Sequence, residues 1–150
     1  MTTFSIERAN QLIKEKEGTV DKTFYPAYHF AAPIGWINDP NGFSYYKDQY
    51  HLFYQYNPYD SVWGPMHWGH AVSPDGIDWK HLPVALAPDQ FYDKGGCFSG
   101  SALAHDGKLY LMYTGHLPAE DGKPLRQNQN IAYSEDGIHF EKYAKNPVLD

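Results

Sequence analysis

The segment PIGWINDPNGFSYY, residues 33–46, sets one carboxylate, Asp39, among amides, a glycine and a tryptophan: Trp36, Asn38, Asn41 and Gly42. A carboxylate so placed can attack or stabilise an electron-poor carbon, and amides beside it can exchange hydrogen bonds with hydroxyl groups. NDPNG also meets the demands of a tight turn. The residue before a proline is driven out of the helical region, and Asn-Gly tolerates positive φ. The local residues leave both readings open, and only the position of Asp39 in a fold can separate them.

Two kinds of element must do the positioning. Residues 4–17 carry Ile6, Ala9 and Ile13 at helical spacing, Lys14 and Lys16 in the last turn and Gly18 as a stop, so a short amphipathic helix is expected. From Tyr25 onward, alternation and turn pairs signal strands. GFSYYKDQYHLFYQY (42–56) and GSALAHDGKLYLMYTG (100–115) each read as a strand, a polar turn at Asp48-Gln49 or Asp106-Gly107, and a second strand, at an offset of 59. WGHAVSPDGIDWKHLPVAL and NIAYSEDGIHFEKYAKNPVL match at an offset of 61, Ser73 with Ser134, Asp75 with Asp136, Gly76 with Gly137 and Ile77 with Ile138. GKPLRQNQN, residues 122–130, reads as a polar loop between them.

A four-stranded antiparallel unit recurring at this period reads as a propeller blade, since one such sheet cannot bury both faces alone. A two-sheet sandwich competes but explains less, because the match runs across whole units. A propeller needs roughly four to eight blades and two are visible, so the chain is expected to be the front of a longer ring, able to associate with copies of itself through open sheet edges. The expected division is residues 1–24 as helix and lead-in and residues 25–150 as an incomplete propeller domain.

Blade geometry then separates the readings of NDPNG. With the first strand of each blade on the central axis, the offset of 59 carries Asp39 onto Phe98, so Asp39, Phe98 and Ser99 meet at one mouth, with Gln55 ending the second strand and Trp63 in the loop after it. A turn rich in backbone N–H donors would keep Asp39 ionised. Aromatic residues make up 17% of the chain; strand packing explains most of them, and those at a mouth can also cover the apolar face of a sugar. Glycoside cleavage needs a second, protonated carboxyl group. No good occupant is visible: Asp75, Asp106 and Asp136 sit in turns at the other mouth, Glu120, Asp121 and Glu135 in exposed polar contexts, and Asp60, Asp89 and Asp93 in loops that explain them.

Other classes are set aside by composition. A net charge of −6 with scattered lysines offers no basic stripe for nucleic acid, and no apolar run approaches the ~18 residues of a membrane span. Cys97 is alone, so no intrachain disulfide can form, and MTTFSIERANQLIKEKEG lacks the apolar core of a secretory signal, so a cytoplasmic location is expected. His67 and His70 in HWGH invite a metal reading, but a spacing of three in a strand points them to opposite faces, and no metal site is expected.

The segments WINDPNG, FYQYNP, WGPMHWGHAVSPDGIDW and GCFSGSA, in this order and spacing, strongly resemble the invertase family, glycoside hydrolase family 32. The resemblance covers essentially the whole chain, and the helix ahead of YPAYHFAAPIGWINDPNG is most similar to the bacterial intracellular sucrose-6-phosphate hydrolase branch. It implies an all-β fold in which these residues are the first two blades of a five-bladed β-propeller. It also implies retaining hydrolysis of terminal β-D-fructofuranosides (sucrose, sucrose 6-phosphate or a fructan end) without metal or organic cofactor. By motif match it implies Asp39 as the nucleophile, with Trp36, Ile37, Asn38, Gln55, Trp63, Phe98 and Ser99 around the fructosyl unit. Without it, the preferred reading of Trp63 and Phe98 is as core aromatics and that of Gln55 as a strand end.

The family's Arg-Asp-Pro and Glu-Cys motifs, which supply a stabilising Asp and the acid/base Glu, are absent. Arginine stands only at Arg8 and Arg126, neither followed by Asp-Pro, and the sole cysteine follows Gly96. The 150 residues alone are therefore expected to be inactive. The alternative reading is a noncatalytic sugar-binding or assembly module that kept the aromatic mouth.

Overall fold

The computed structural model describes residues 4–119 and 124–150; Glu120 and Asp121, weighed above, lie outside the described residues. The chain opens with α1 (Ile6–Lys16), whose first turn is capped by the Ser5 hydroxyl accepting from the Arg8 amide at 3.2 Å. A 3₁₀ turn over Glu17–Thr19 extends it, so Gly18 continues the helical path where a stop was expected. Eight strands follow: β1 (Trp36–Tyr46), β2 (Gln49–Asn57), β3 (His67–Ser73), β4 (Lys80–Leu86), β5 (Cys97–His105), β6 (Lys108–Leu117), β7 (Arg126–Ser134) and β8 (Glu141–Lys142). They form two four-stranded antiparallel sheets, ordered β1-β2-β3-β4 and β5-β6-β7-β8, the two blades that the repeat predicts.

The repeat extends to individual hydrogen bonds. In the first blade the Gly76 amide donates to the Ser73 hydroxyl at 2.8 Å, and the Ile77 and Asp78 amides donate to the Asp75 carboxylate at 2.9 Å. In the second, Gly137 donates to Ser134 at 2.8 Å, and Ile138 and His139 to Asp136 at 2.7 and 2.8 Å. The hairpin turns are Lys47-Asp48 and Asp106-Gly107, each with both central residues at positive φ, as the right-handed strand twist requires. The first lies one residue earlier than the expected Asp48-Gln49.

Three further expectations are corrected. NDPNG is no turn: it lies inside β1, where the register passes from Ile37↔Tyr56 to Pro40↔Tyr54 and from Asn41↔Phe53 to Ser44↔His51, an extra β1 residue at each step. These two bulges bend the strand start and expose Asp39. β2 continues past Gln55 to Asn57. The polar loop reading fails for residues 126–130, which are the first half of β7; its alternating Gln and Asn place Asn128 and Asn130 in the interior.

Facing sheets bury one another. Phe53, Trp68 and Tyr46 of the first blade pack with Leu109, Leu111, Tyr113 and Ala132 of the second. Gly42 closes this seam at φ +59, where an added methyl would stand 2.9 Å from the Phe53 ring. The other face of the first blade is covered by α1 and residues 20–37, with Ala9, Ile34, Tyr54, Tyr56 and Val84 as the buried centre. His67 and His70 do point to opposite faces: His67 contacts the rings of Phe4 and Tyr59, His70 those of Phe53 and Phe140. No described helix is long and apolar enough to cross a membrane.

Candidate active site

The bulged start of β1 and its counterpart in β5 face each other across the blade seam. β5 carries its own extra residue, the register stepping from Phe98↔Thr114 to Gly100↔Tyr113 and turning Ser99 out of the ladder. The Ser99 hydroxyl donates to the Asp39 carboxylate at 3.0 Å across 60 residues of sequence. The donor is thus a side chain of the next blade, where backbone amides of a turn were expected. Asp39, Asn38, Gln55, Trp63, Phe98, Ser99, Thr114 and Gln127 line one open cleft of about 370 Å³.

Each side chain is held from behind. Gln55, 3% exposed, donates through Nε2 to the Cys97 carbonyl at 2.9 Å, and the Trp68 indole donates to the Phe98 carbonyl at 3.1 Å. First-blade side chains therefore fix the β5 backbone that presents Phe98 and Ser99. The Phe98 ring lies between two others: His116 stacks on it with centroids 4.3 Å apart and planes 5° from parallel, and Trp63 meets it edge-on at 6.2 Å. Burial lowers the pKa of His116, which keeps that imidazole neutral and able to stack as an uncharged ring. Trp63 is 55% exposed and Phe98 half-buried, so neither is the plain core aromatic of the competing reading.

Two expected residues stand apart. Ile37 packs with the helix-side cluster under Tyr54 and Tyr56, and Trp36 pairs with Asn57 at the far end of the β1–β2 ladder; neither lines the cleft. Thr114 and Gln127 were missed. Both belong to strand ends, and the alternation in RQNQN was the signal available for Gln127.

Asp93 was also underestimated. It is fully buried, and Lys142 of β8 reaches it at 2.6 Å while holding Asp89 at 2.7 Å and the Ala87 carbonyl at 2.6 Å. Those three acceptors use all three protons of the ammonium. The Tyr113 hydroxyl and the Gln90 amide complete the Asp93 carboxylate, each at 2.9 Å. This knot ties down the crossover from β4 to β5, a few residues before Phe98. Cys97, buried with its thiol 3.7 Å from the same carboxylate, is held up in pKa by burial and stays a thiol. Among the described residues, no group of three or more His, Cys, Asp or Glu side chains could hold a metal ion. Asp39 is the one carboxyl group among the described residues lining the cleft.

The sequence profile of the glycosyl hydrolases family 32 N-terminal domain matches residues 29–150. A sucrose-6-phosphate hydrolase of Escherichia coli is 49% identical over 95% of this chain, which covers 30% of that protein. A family 32 beta-fructofuranosidase of Bombyx mori, of which a mutant was solved in complex with sucrose, superposes with a TM-score of 0.88 at 48% identity, over 95% of this chain and 30% of that one. A sucrose-6-phosphate hydrolase of Lactobacillus gasseri superposes at 0.83 with 36% identity, over 97% of this chain and 32% of its own. The chain thus spans about a third of the length of these relatives.

Proposed function

The chain belongs to the glycosyl hydrolases of family 32, and from that premise we propose that its cleft binds the terminal β-D-fructofuranosyl unit of sucrose, sucrose 6-phosphate or a fructan, with Asp39 as the nucleophile of a retaining hydrolysis. The observation that carries this reading is the 3.0 Å contact of Ser99 with Asp39, in a cleft shared with Gln55, Trp63 and Phe98. A carboxylate that attacks the anomeric carbon must hold still, and a hydroxyl donor on an independent element favours that. Asn38 and Gln55 supply paired donors and acceptors for ring hydroxyls, and the Trp63–Phe98 pair offers an apolar wall to C–H faces. Trp36 and Ile37 act from outside the cleft, seating the strand that carries Asn38 and Asp39.

Retaining chemistry requires an acid about 5 Å from the nucleophile. The proposal assigns that group to a segment outside residues 1–150, so residues 25–150 are part of a catalytic domain and residues 1–24 its lead-in. The cytoplasm is the proposed compartment, where a lone thiol such as Cys97 stays reduced. A noncatalytic sugar-binding module is the second reading, and a cleft with one carboxyl group among its described residues favours it for the 150 residues taken alone.

Two measurements test this. The 150-residue chain, incubated with sucrose or sucrose 6-phosphate, is expected to release no hexose; turnover abolished by Asp39→Ala would show that another carboxyl group within it is the acid. In a chain carrying the additional length the relatives have, Asp39→Ala is expected to lower kcat by roughly 10⁴-fold or more, as loss of a nucleophile does elsewhere. Unchanged kcat would remove Asp39 from the mechanism.

A further inference from the structure

One buried side chain reaches the strands of both Asp39 and Ser99 from behind the cleft. Trp68 of β3 has no exposure and is packed between two rings, one from each blade, with centroids 5.7 Å away for Phe53 and 6.3 Å for Tyr113. A ring so enclosed, at interior packing density, has no room to swing. The far edge of its indole lies under Gly42, where a methyl added to the glycine would stand 3.3 Å from Cζ3. Gly42 belongs to the second bulge of β1, and Asp39 to the first. The opposite edge, the indole N–H, donates to the Phe98 carbonyl at 3.1 Å, inside the bulge of β5 that turns Ser99 outward.

This placement is more specific than packing requires. A buried tryptophan needs one acceptor for its N–H, and a carbonyl elsewhere along the seam would serve. A β-bulge, in contrast, interrupts a ladder and leaves backbone groups to find other partners. Here the acceptor is the carbonyl of the residue before Ser99. The residue before that is tied across the same seam twice: Gln55 donates to the Cys97 carbonyl at 2.9 Å, and the Cys97 amide donates to the Met66 carbonyl at 2.8 Å. The start of β5 therefore hangs from the first blade, and Trp68 links it to the strand that carries Asp39.

We infer that Trp68 is a positioning residue for chemistry at Asp39: one rigid indole, seated under a bulge of β1 and bonded to the bulge of β5, sets the spacing of the two strands. The inference rests on the proposed role of Asp39 as nucleophile and names what keeps that carboxylate in register with its 3.0 Å donor, Ser99. Trp68 does not line the cleft, so its effect on the reaction passes through Ser99.

The test is steady-state hydrolysis of sucrose and sucrose 6-phosphate by a chain carrying the additional length the relatives have, with Trp68 replaced in two ways. Trp68→Phe removes the N–H and part of the ring. The analogue 3-benzothienylalanine at position 68 keeps the shape and puts sulfur where the N–H was. Misplacing a reacting group by about 1 Å can cost 10²-fold, so kcat is expected to fall by roughly ten- to a hundredfold in both variants. KM is expected to stay within about twofold, because no group that touches substrate is removed. With Ser99→Ala already in place, the same replacements are expected to lower kcat by less than about twofold, the non-additivity of residues that act through one contact. Unchanged kcat in the sulfur variant, or an equal loss with and without Ser99, would overturn the role of Trp68 and leave that of Asp39 standing as long as Asp39→Ala is inactive. Full activity of Asp39→Ala would overturn both. Should Trp68→Phe fail to fold, the sulfur variant decides, since its volume is close to that of the natural side chain.

Discussion

At the scale of single residues, the site depends on side chains whose roles are set by a neighbour from the other blade. Ser99 is the clearest. Its hydroxyl is placed by a one-residue bulge, and Ser99→Ala removes the donor to Asp39 while leaving the strand unchanged. Losing a hydrogen bond to a charged group is worth about 1.5–3 kcal/mol, so the affinity for fructose, followed by Trp63 fluorescence, is expected to fall by roughly tenfold or more. An unaltered affinity would show that the contact does not prepare the site. Gly42 is a second such residue. At φ +59 an L side chain is strained by roughly 1–2 kcal/mol, and its methyl would press on Phe53 at the seam. Gly42→Ala should therefore lower the urea midpoint by an amount equivalent to roughly 1–3 kcal/mol. The NDPNG motif shows how far local residues can mislead: every preference that suits a turn also suits a bulged strand, because both need positive φ at Gly42 and an extended residue before Pro40.

Among the elements, the crossover between the blades and the strand β7 decide whether the cleft keeps its shape. Lys142, on the two-residue β8, holds Ala87, Asp89 and Asp93 at once, and Asp93 has no access to water. Burial pushes the Asp93 carboxyl up and Lys142 works against that push. Removing one partner of a buried pair strands the other charge, so Lys142→Met is expected to destabilise the chain by about 3–5 kcal/mol in denaturant titrations. The double variant Lys142→Met with Asp93→Leu should recover much of that loss, since an apolar pair of similar volume can replace a buried ion pair. Equal instability of single and double variants would mean that the knot acts by shape alone. The knot was invisible in the sequence because its members lie 49 residues apart and each looks like a surface charge. The loop reading of residues 126–130 failed for a related reason: Asn128 and Asn130 are polar, yet they are buried, Asn128 donating to the Tyr92 carbonyl and Asn130 to the Asn128 side-chain oxygen.

At the scale of the whole molecule, the two blades share an interface that carries buried imidazoles. His51 and His70 are hydrogen bonded to each other at 2.9 Å, His51 also meets the Tyr46 carbonyl, and His67 donates through Nδ1 to the Pro65 carbonyl from the opposite face. Desolvation lowers the pKa of His67 to about 4 and of His70 to about 3. Both are neutral when folded and take up protons when unfolded, so the unfolded chain binds more protons below its ordinary histidine value near 6.5. Stability is thus full above about pH 6.5 and is lost progressively as pH falls from there toward 4 and then 3, with a total on the order of a few kcal/mol. Urea midpoints measured between pH 8 and pH 4 should show the fall begin near 6.5, and a flat profile would contradict burial of the pair. The outer face of the second blade exposes Leu103 at 65% and Met112 at 39% beside Ile131, an apolar surface of the kind that associates. Sedimentation of the 150-residue chain is expected to depend on concentration, and Leu103→Glu to reduce that dependence. What the sequence determined by itself was what repeats: two four-stranded units, the second hairpin's turn and the first's to within one residue, their Ser-x-Asp-Gly caps and the end of each blade on which Asp39, Phe98 and Ser99 would meet. These are local rules of side-chain period and backbone sterics, applied twice. The tertiary structure alone decided that NDPNG bulges inside a strand, that Ser99 reaches Asp39, that Thr114 and Gln127 extend the cleft and that Lys142 locks the crossover. Those outcomes depend on how one sheet sits on the next, and the energy of a contact between distant residues is written in neither of their neighbourhoods.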